Sequence, residues 1–476
     1  MNGNITHRRA AAVFALLSLT GCASVHIAAP IGAVARAGAS ASPVPFPSTY
    51  HAMPSSTTVI TDVMILTGDG RLIEHGSLLM DRGVIAAVGS DVHAPAGAHS
   101  IEGRGRWLTP GLIDVHSHLG NSSQPATAGN DDVNESTDPN TAQVWAEHGV
   151  WPQDPAFARA LAGGVTTMQI LPGSANLFGG RSVVLKNVPA RTVQAMKFPD
   201  APYGIKMACG ENPKRVYGSV QKRAPGTRMG NMAGYRSAFI KAVEYRRKWE
   251  KYQRETAAGK SPDPPERDLQ METLAGVLAG EIRVQTHCYE ASDMAQMIDL
   301  SKEFGYQIAA FHHATEAYKI ADILAANHIC AAIWADWWGF KMEAYDGIRE
   351  NLPMVDAAGA CAIVHSDSAI GIQHLNLAAA QAMGDGRRAG ISVPPERAIQ
   401  WLTLNPAIAL GIERKTGSLT IGKAADVVLW SADPFSVLAH ADQVYIDGAL
   451  TFDRANVAMH PVSDFEVGQR AQGHQP

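Results

Sequence analysis

Gly111-Leu-Ile-Asp-Val-His-Ser-His118 is the stretch around which the rest of the chain is organised. It reads as a buried β-strand. Side chains alternate between the two faces of a strand, so Asp114, His116 and His118 share one side while Ile113, Val115 and Ser117 share the other. Two imidazoles at i and i+2 near a strand end can grip one metal ion. A pair of loop histidines would match the same spacing, so the reading depends on what other strands bring to the same place.

Outward from that stretch, residues 109–405 alternate between strand-like and helix-like patterns. Strands are expected at Leu112–His118, Val165–Leu171, Val183–Val188, Gly204–Cys209, Arg283–His287, Gln307–His312, Ile329–Trp334 and Ala362–Ser366. Helical stretches such as Pro155–Ala162, Ala291–Phe304 and Ala317–Asn327 lie between them. This alternation implies an α/β fold, a (β/α)8 TIM barrel. Residues 56–108 and 406–460 carry short strands and tight turns, Gly68-Asp-Gly70 among them. The two ends are expected to build one β-sandwich flanking the barrel, with 461–476 as a tail. Residues 229–272 read as an insertion whose helix, Ala233–Ala257, is charged and solvent-facing.

A chain of 476 residues with 46% hydrophobic content suits one large barrel plus a smaller module. The formal charge of −5 is mild, and without a basic stripe or a nucleic-acid motif, nucleic-acid binding has no support. The first residues are a targeting segment. His7-Arg8-Arg9 precede an apolar run, Ala10–Thr20, too short to span a bilayer. Leu19-Thr20-Gly21-Cys22 resembles a bacterial lipobox, in which cleavage exposes a cysteine that receives lipid. Residues 1–21 are then a leader and 22–55, rich in Ala, Ser, Pro and Gly, a flexible tether. The protein is expected to be exported and to meet the membrane only through lipid on Cys22, at the periplasmic side. An ordinary signal peptide cleaved within Ala33–Ser42 would make it a free periplasmic protein. Cys209, Cys288, Cys330 and Cys361 form no CxxC pair and read as small buried hydrophobes, not a disulfide framework.

Active sites of such barrels lie at the C-terminal ends of the strands. The first strand brings His116 and His118 there, the fifth His287, and the sixth His312 and His313. The eighth brings Asp367, on the same face as Ile363 and His365. Imidazole and carboxylate together suit a divalent metal, zinc by donor type, one or two ions per chain. Alternation along Gly204-Ile-Lys-Met-Ala-Cys-Gly-Glu211 points Lys206 into the barrel. As a carbamate, Lys206 could bridge two metals; Glu211, just past the strand, is the rival that needs no modification. Ile333–Lys341 follows the seventh strand, so Trp334, Asp336 and Trp337 either line a pocket for an amphipathic ligand or cap the barrel. Arg181 and Arg215 are candidates to grip a substrate carboxylate.

Pro110–His118, the strand-end His287, His313 before a small residue, and Ser366-Asp367 resemble the amidohydrolase superfamily. Gly417–Trp430 resembles the segment that closes the sandwich in its imidazolonepropionase-like branch. The likeness runs from about Val59 to Phe452. It implies a distorted TIM barrel with a composite β-sandwich, and it gives His116, His118, His287, His313 and Asp367 the metal and catalytic positions. The alanine after His313 favours it over His312. The implied activity is hydrolysis of a C–N bond (amide, cyclic amide or dipeptide-like) in a small molecule by metal-activated water, with Asp367 moving the proton and His313 assisting. A deaminase would use the same apparatus. A binding or scaffold lipoprotein on an inactive barrel is the rival of another class, and a homo-oligomer fits any of them. Exchange of Cys22 for alanine is expected to release the protein from the membrane fraction; continued attachment would overturn the lipobox reading.

Overall fold

The first strands of the structure, a computed structural model that describes residues 45–337 and 339–460, are joined by turns that glycine permits. Cys22, the leader and the tail lie outside the described residues. β1 (Thr58–Leu66) and β2 (Leu72–Asp81) pair antiparallel. A two-residue turn, Arg82-Gly83 with φ of 48° and 82°, leads into β3 (Val84–Gly89). Positive φ at both residues gives a turn whose twist matches the paired strands. β4 (His99–Glu102) and β5 (Trp107–Pro110) run parallel to β1.

The next eight strands are β6 (Leu112–Ser117), β7 (Val165–Ile170), β8 (Phe178–Lys186), β9 (Gly204–Ala208), β10 (Arg283–Cys288), β11 (Ile308–His313), β12 (Cys330–Ile333) and β13 (Cys361–Val364). They pair in chain order as one eight-stranded sheet. Just past β13 the chain returns to β6. The backbone N–H of Asp367 donates to the carbonyl of His116 (3.0 Å), and the N–H of Ser366 donates to Asp114 Oδ1 (3.3 Å). The sheet is thus nearly closed. It is not a strict (β/α)8 barrel, because β8 runs antiparallel to both β7 and β9. The reason is length: residues 171–177 alone join β7 to β8, whereas a parallel crossover needs roughly a dozen residues or more.

β14 (Val427–Trp430), β15 (Ala441–Ile446) and β16 (Ala449–Asp453) complete the chain's strands, and β14 pairs with β5. The two ends therefore share one sheet rather than the two sheets of the expected sandwich, in the order β16-β15-β14-β5-β1-β2-β3 with β4 beside β1, because β14 pairs directly with β5. Its core holds Ile60, Ile65, Leu78, Leu108, Val427 and Leu429. A buried ion cluster ties it to the barrel. Lys186 Nζ lies 2.8 Å from Asp447 Oδ1 and 3.3 Å from Asp426 Oδ1, and the Tyr50 hydroxyl donates to Asp447.

Three expectations need correction. The tether ends before residue 55: Phe46 packs edge-on against Trp145, the Ser48 hydroxyl donates to the Lys197 carbonyl, and the Thr49 N–H donates to the Gln194 carbonyl. The helix of the insertion, Arg228–Ala257, is not solvated all round; it buries Tyr235, Ala238, Phe239 and Ala242 against the barrel. Its dense charges hide a short apolar stripe at i, i+3, i+4 and i+7. The cysteines are not free hydrophobes. Cys209 is bonded to Cys288 and Cys330 to Cys361, each pair joining neighbouring strands. The partners stand 79 and 31 residues apart and meet only through the barrel, so local spacing carries no sign of them. Titration of these four cysteines in denaturant is expected to give no thiol until reductant is added, and four afterwards.

Candidate metal and catalytic centre

β6, β9, β10, β11 and the residues after β13 converge at one rim. His116 is wholly buried on β6, its Nε2 3.4 Å from Lys206 Nζ and 3.5 Å from Asp367 Oδ1. His118 Nε2 lies 3.1 Å from the same Asp367 oxygen. The His313 ring lies 4.7 Å from that of His116 and 4.5 Å from that of His287. His116, His118, Lys206, His287, His313 and Asp367 are thereby brought together. His313 (φ 69°), Ala314 (φ 40°) and Asp367 (φ 50°) all hold left-handed backbone. Non-glycine residues persist there only where the surroundings over-determine them, and such strain gathers at functional sites.

Hydrogen bonds fix which nitrogen of each ring carries the proton. Gln285 Nε2 donates to the Ala409 carbonyl (3.2 Å), so its Oε1 faces His312 and accepts from Nε2 at 2.8 Å. His312 Nδ1 is then a lone pair, and His116 Nδ1–H donates to it at 2.9 Å. That leaves His116 Nε2 as a lone pair aimed at Lys206 and Asp367. His118 Nδ1–H donates to the Leu171 carbonyl (2.8 Å), which frees its Nε2 in the same way. Lys341 Nζ donates to Asn212 Oδ1 (3.0 Å) and so turns the amide Nδ2 toward His287 Nε2 (3.4 Å). His287 Nδ1–H is left to donate to Ser174 Oγ (2.8 Å). His312 stands behind His116 and orients it, and His313 faces the rim.

Burial pushes His116, His287, His312 and His313 well below the usual histidine range, and His365 down to about 3; the ammonium of Lys206 adds to each of these shifts. Five imidazoles are thus neutral, the state in which a ring nitrogen can bind a cation. Burial also lowers the Lys206 amine to about 7, with Asp367 opposing. Burial raises the Asp367 carboxyl, but a proton between it and His118 Nε2, together with the nearby positive charges, more than offsets this and holds it below its ordinary value.

A divalent cation fits this donor set. The lone pairs of His118 Nε2 and Asp367 Oδ1 face each other at 3.1 Å, a contact that calls for a proton or a cation between them. Three buried ring nitrogens, His313 Nδ1 and both of His365, have no hydrogen-bond partner among the described residues. Donor atoms of His116, His118 and Asp367 lie within 4.8 Å of one another, and so do those of His116, His313 and His365.

Other expected residues stand further out. Glu211 Oε1 pairs with Lys341 Nζ at 3.1 Å. Trp334 is buried; its ring stacks on His313 at 4.2 Å and its N–H donates to the Ser366 carbonyl (3.2 Å). Trp334, Asp336 and Trp337 line an open cavity together with His313, Thr315 and Asn351. Arg215 is exposed, and its charge is felt at Tyr289 and Lys341 at the mouth. Arg181 is elsewhere, with its guanidinium 4.2 Å over the Trp145 ring and its Nε donating to Thr273. Strand parity alone marked His365; nothing in the sequence marked Gln285, whose role depends on a contact with a residue 124 positions away.

A histidine–aspartate centre on the rim of a nearly closed barrel, flanked by a sheet from both chain ends, defines a class of hydrolase fold. The Amidohydrolase family model matches residues 279–451. The crystal structure of an amidohydrolase from Thermotoga maritima is 36% identical with a TM-score of 0.76, covering 83% of this chain and 100% of that one. Amidohydrolase tasK of Hapsidospora irregularis is 36% identical over 81% of this chain, and the chain spans 41% of that relative's length. An imidazolonepropionase of Pseudomonas aeruginosa is 24% identical over 79% of this chain and 96% of its own. The chain belongs to the amidohydrolase family.

Exchange of His312 for phenylalanine keeps a ring but removes the acceptor that orients His116. It is expected to weaken divalent-cation binding about 10–100-fold, read by competition with a chromogenic chelator, because partners that orient a ligand carry that much affinity.

Proposed function

We propose that this chain hydrolyses a C–N bond in a small molecule, using a divalent cation held at the rim. The observation that carries the reading is the convergence of His116, His118, His287, His313 and Asp367 at one rim, with the Nε2 lone pairs of His116 and His118 turned toward Asp367. Zinc matches that mixture of imidazole and carboxylate. When bound, such a cation lowers the pKa of a water molecule from about 15.7 toward 7. Asp367 is held below its ordinary pKa and so is ionised, and it can orient a water, take its proton and return it to the leaving nitrogen. His313, stacked on Trp334 and edge-on to His287, is placed to polarise the substrate carbonyl. Trp334 keeps water from one side of that carbonyl, and Trp337 and Asp336 flank the entrance.

Lys206 is the better candidate for a bridge between two cations than Glu211. Its amine is wholly buried 3.4 Å from His116 Nε2, and burial lowers it to about 7, so a substantial share is neutral near pH 7, the form that reacts with carbon dioxide to give a carbamate. Glu211 is engaged by Lys341. Arg215, exposed near the mouth, favours a substrate with a carboxylate, such as an N-acyl amino acid, a dipeptide or a cyclic amide. We also place the protein at the periplasmic side of a membrane, anchored through Cys22. Two disulfides suit that oxidising compartment.

Elemental analysis of the purified chain is expected to give one or two divalent ions. Two support a bridge at Lys206 or Glu211; one supports a mononuclear site on His116, His118, His287 and Asp367. None, after zinc is supplied, overturns the proposal. With a panel of carboxylate-bearing amides, Asp367→Asn is expected to lower kcat/KM by about 10²–10⁴. Ammonia released from a ring substrate, with no amide cleaved, would move the reading to a deaminase.

A further inference from the structure

His365 is the residue at the centre that neither the hydrogen-bond network nor the reading above uses. It lies between β13 and Asp367, is buried, and neither of its nitrogens has a hydrogen-bond partner among the described residues. Its ring lies nearly parallel to that of His116, 5.1 Å away at 23°, and 5.1 Å from Trp334. A buried imidazole without partners is costly unless something occupies a lone pair. Its donor atom lies within 4.8 Å of donor atoms of His116 and of His313, whose Nδ1 is likewise without a partner.

His118 and Asp367 lie within the same distance of His116 in a second set. The two sets share one residue. His116 Nδ1 is committed to His312, so Nε2 is the nitrogen it has for a cation. One lone pair serves one cation at a time.

We propose that His365 and His313 form, with His116, an all-nitrogen cation seat that competes for His116 with the seat made by His118 and Asp367. The inference rests on the cation-dependent reading above and deepens it. It means that His116 is a switch-point: a cation is held either by three imidazoles deep in the barrel or by two imidazoles and a carboxylate at the rim. A second ion can bind beside the first only if another ligand, such as Lys206, substitutes for His116. The inner seat suits nitrogen-preferring ions such as zinc, cobalt and nickel; the outer seat, with its carboxylate oxygen, also suits manganese.

The test is cation binding by full-length protein freed of metal and titrated with cobalt(II), followed by visible absorption and by chelator competition. His365→Phe preserves the stacked ring and removes both nitrogens. The expected result is a loss of cobalt affinity of about tenfold or more, with a changed visible band, while manganese affinity stays within about twofold. Unchanged cobalt affinity and an unchanged band in His365→Phe would overturn the inner seat while leaving the cation-dependent reading intact. If wild-type protein binds no divalent cation, both fall together. Should His365→Phe show no cooperative thermal transition, His365→Gln replaces it under the same criteria.

Discussion

The seam where the chain after β13 meets β6 is the constraint on which the centre depends. Asp114 is wholly buried there, and desolvation pushes its carboxyl up to about 7 against the pull of its donors. Those donors are the backbone N–H groups of His116 and Ser366 and the Ser366 hydroxyl. A buried carboxylate without them would be strongly unfavourable, so its presence selects the one register in which β6 and the residues after β13 satisfy it. That register also sets the bond from the Asp367 N–H to the His116 carbonyl. Asp367 is held against His116 and His118 by the backbone before any cation is considered.

The same desolvation acts on the rest of the rim with the opposite charge preference. Acids are pushed toward protonation and bases away from it, so burial strips protons from five histidines and in part from Lys206. Hydrogen bonds then decide where the remaining ring protons sit. Gln285, Leu171 and Asn212 are the groups that set them, and none of these is itself ionisable. The centre is thus a cavity in which lone pairs face one another, a state that a cation or a shared proton relieves.

Much of this was legible from strand parity. His116, Lys206 and Asp367 each follow from period-two alternation, and the strand positions in 112–366 needed only a rule that apolar runs end at polar rims. β8 was not legible, since its apolar run is the same read in either direction; only the short link after β7 reverses it. The disulfides and the Gln285–His312–His116 relay were illegible for another reason. They join residues tens to hundreds of positions apart, whose adjacency is a property of the closed sheet. The apolar stripe in Arg228–Ala257 was present in the sequence but drowned by its charges, and tertiary packing rather than mean hydropathy decided its burial.

The docking of residues 46–50 has a mechanical meaning. Any pull on the chain ahead of Phe46 is taken first by the Phe46–Trp145 contact, by Ser48 and Thr49 on the 194–197 segment, and by Tyr50 on Asp447. Asp447 is clamped to Lys186, which pairs with Thr167 at the start of β7, the opposite end of the strands from the histidines. The load path therefore runs along the floor of the barrel and into the terminal sheet, and tugging at the leading segment is dissipated where it cannot disturb the alignment of His116 with Asp367.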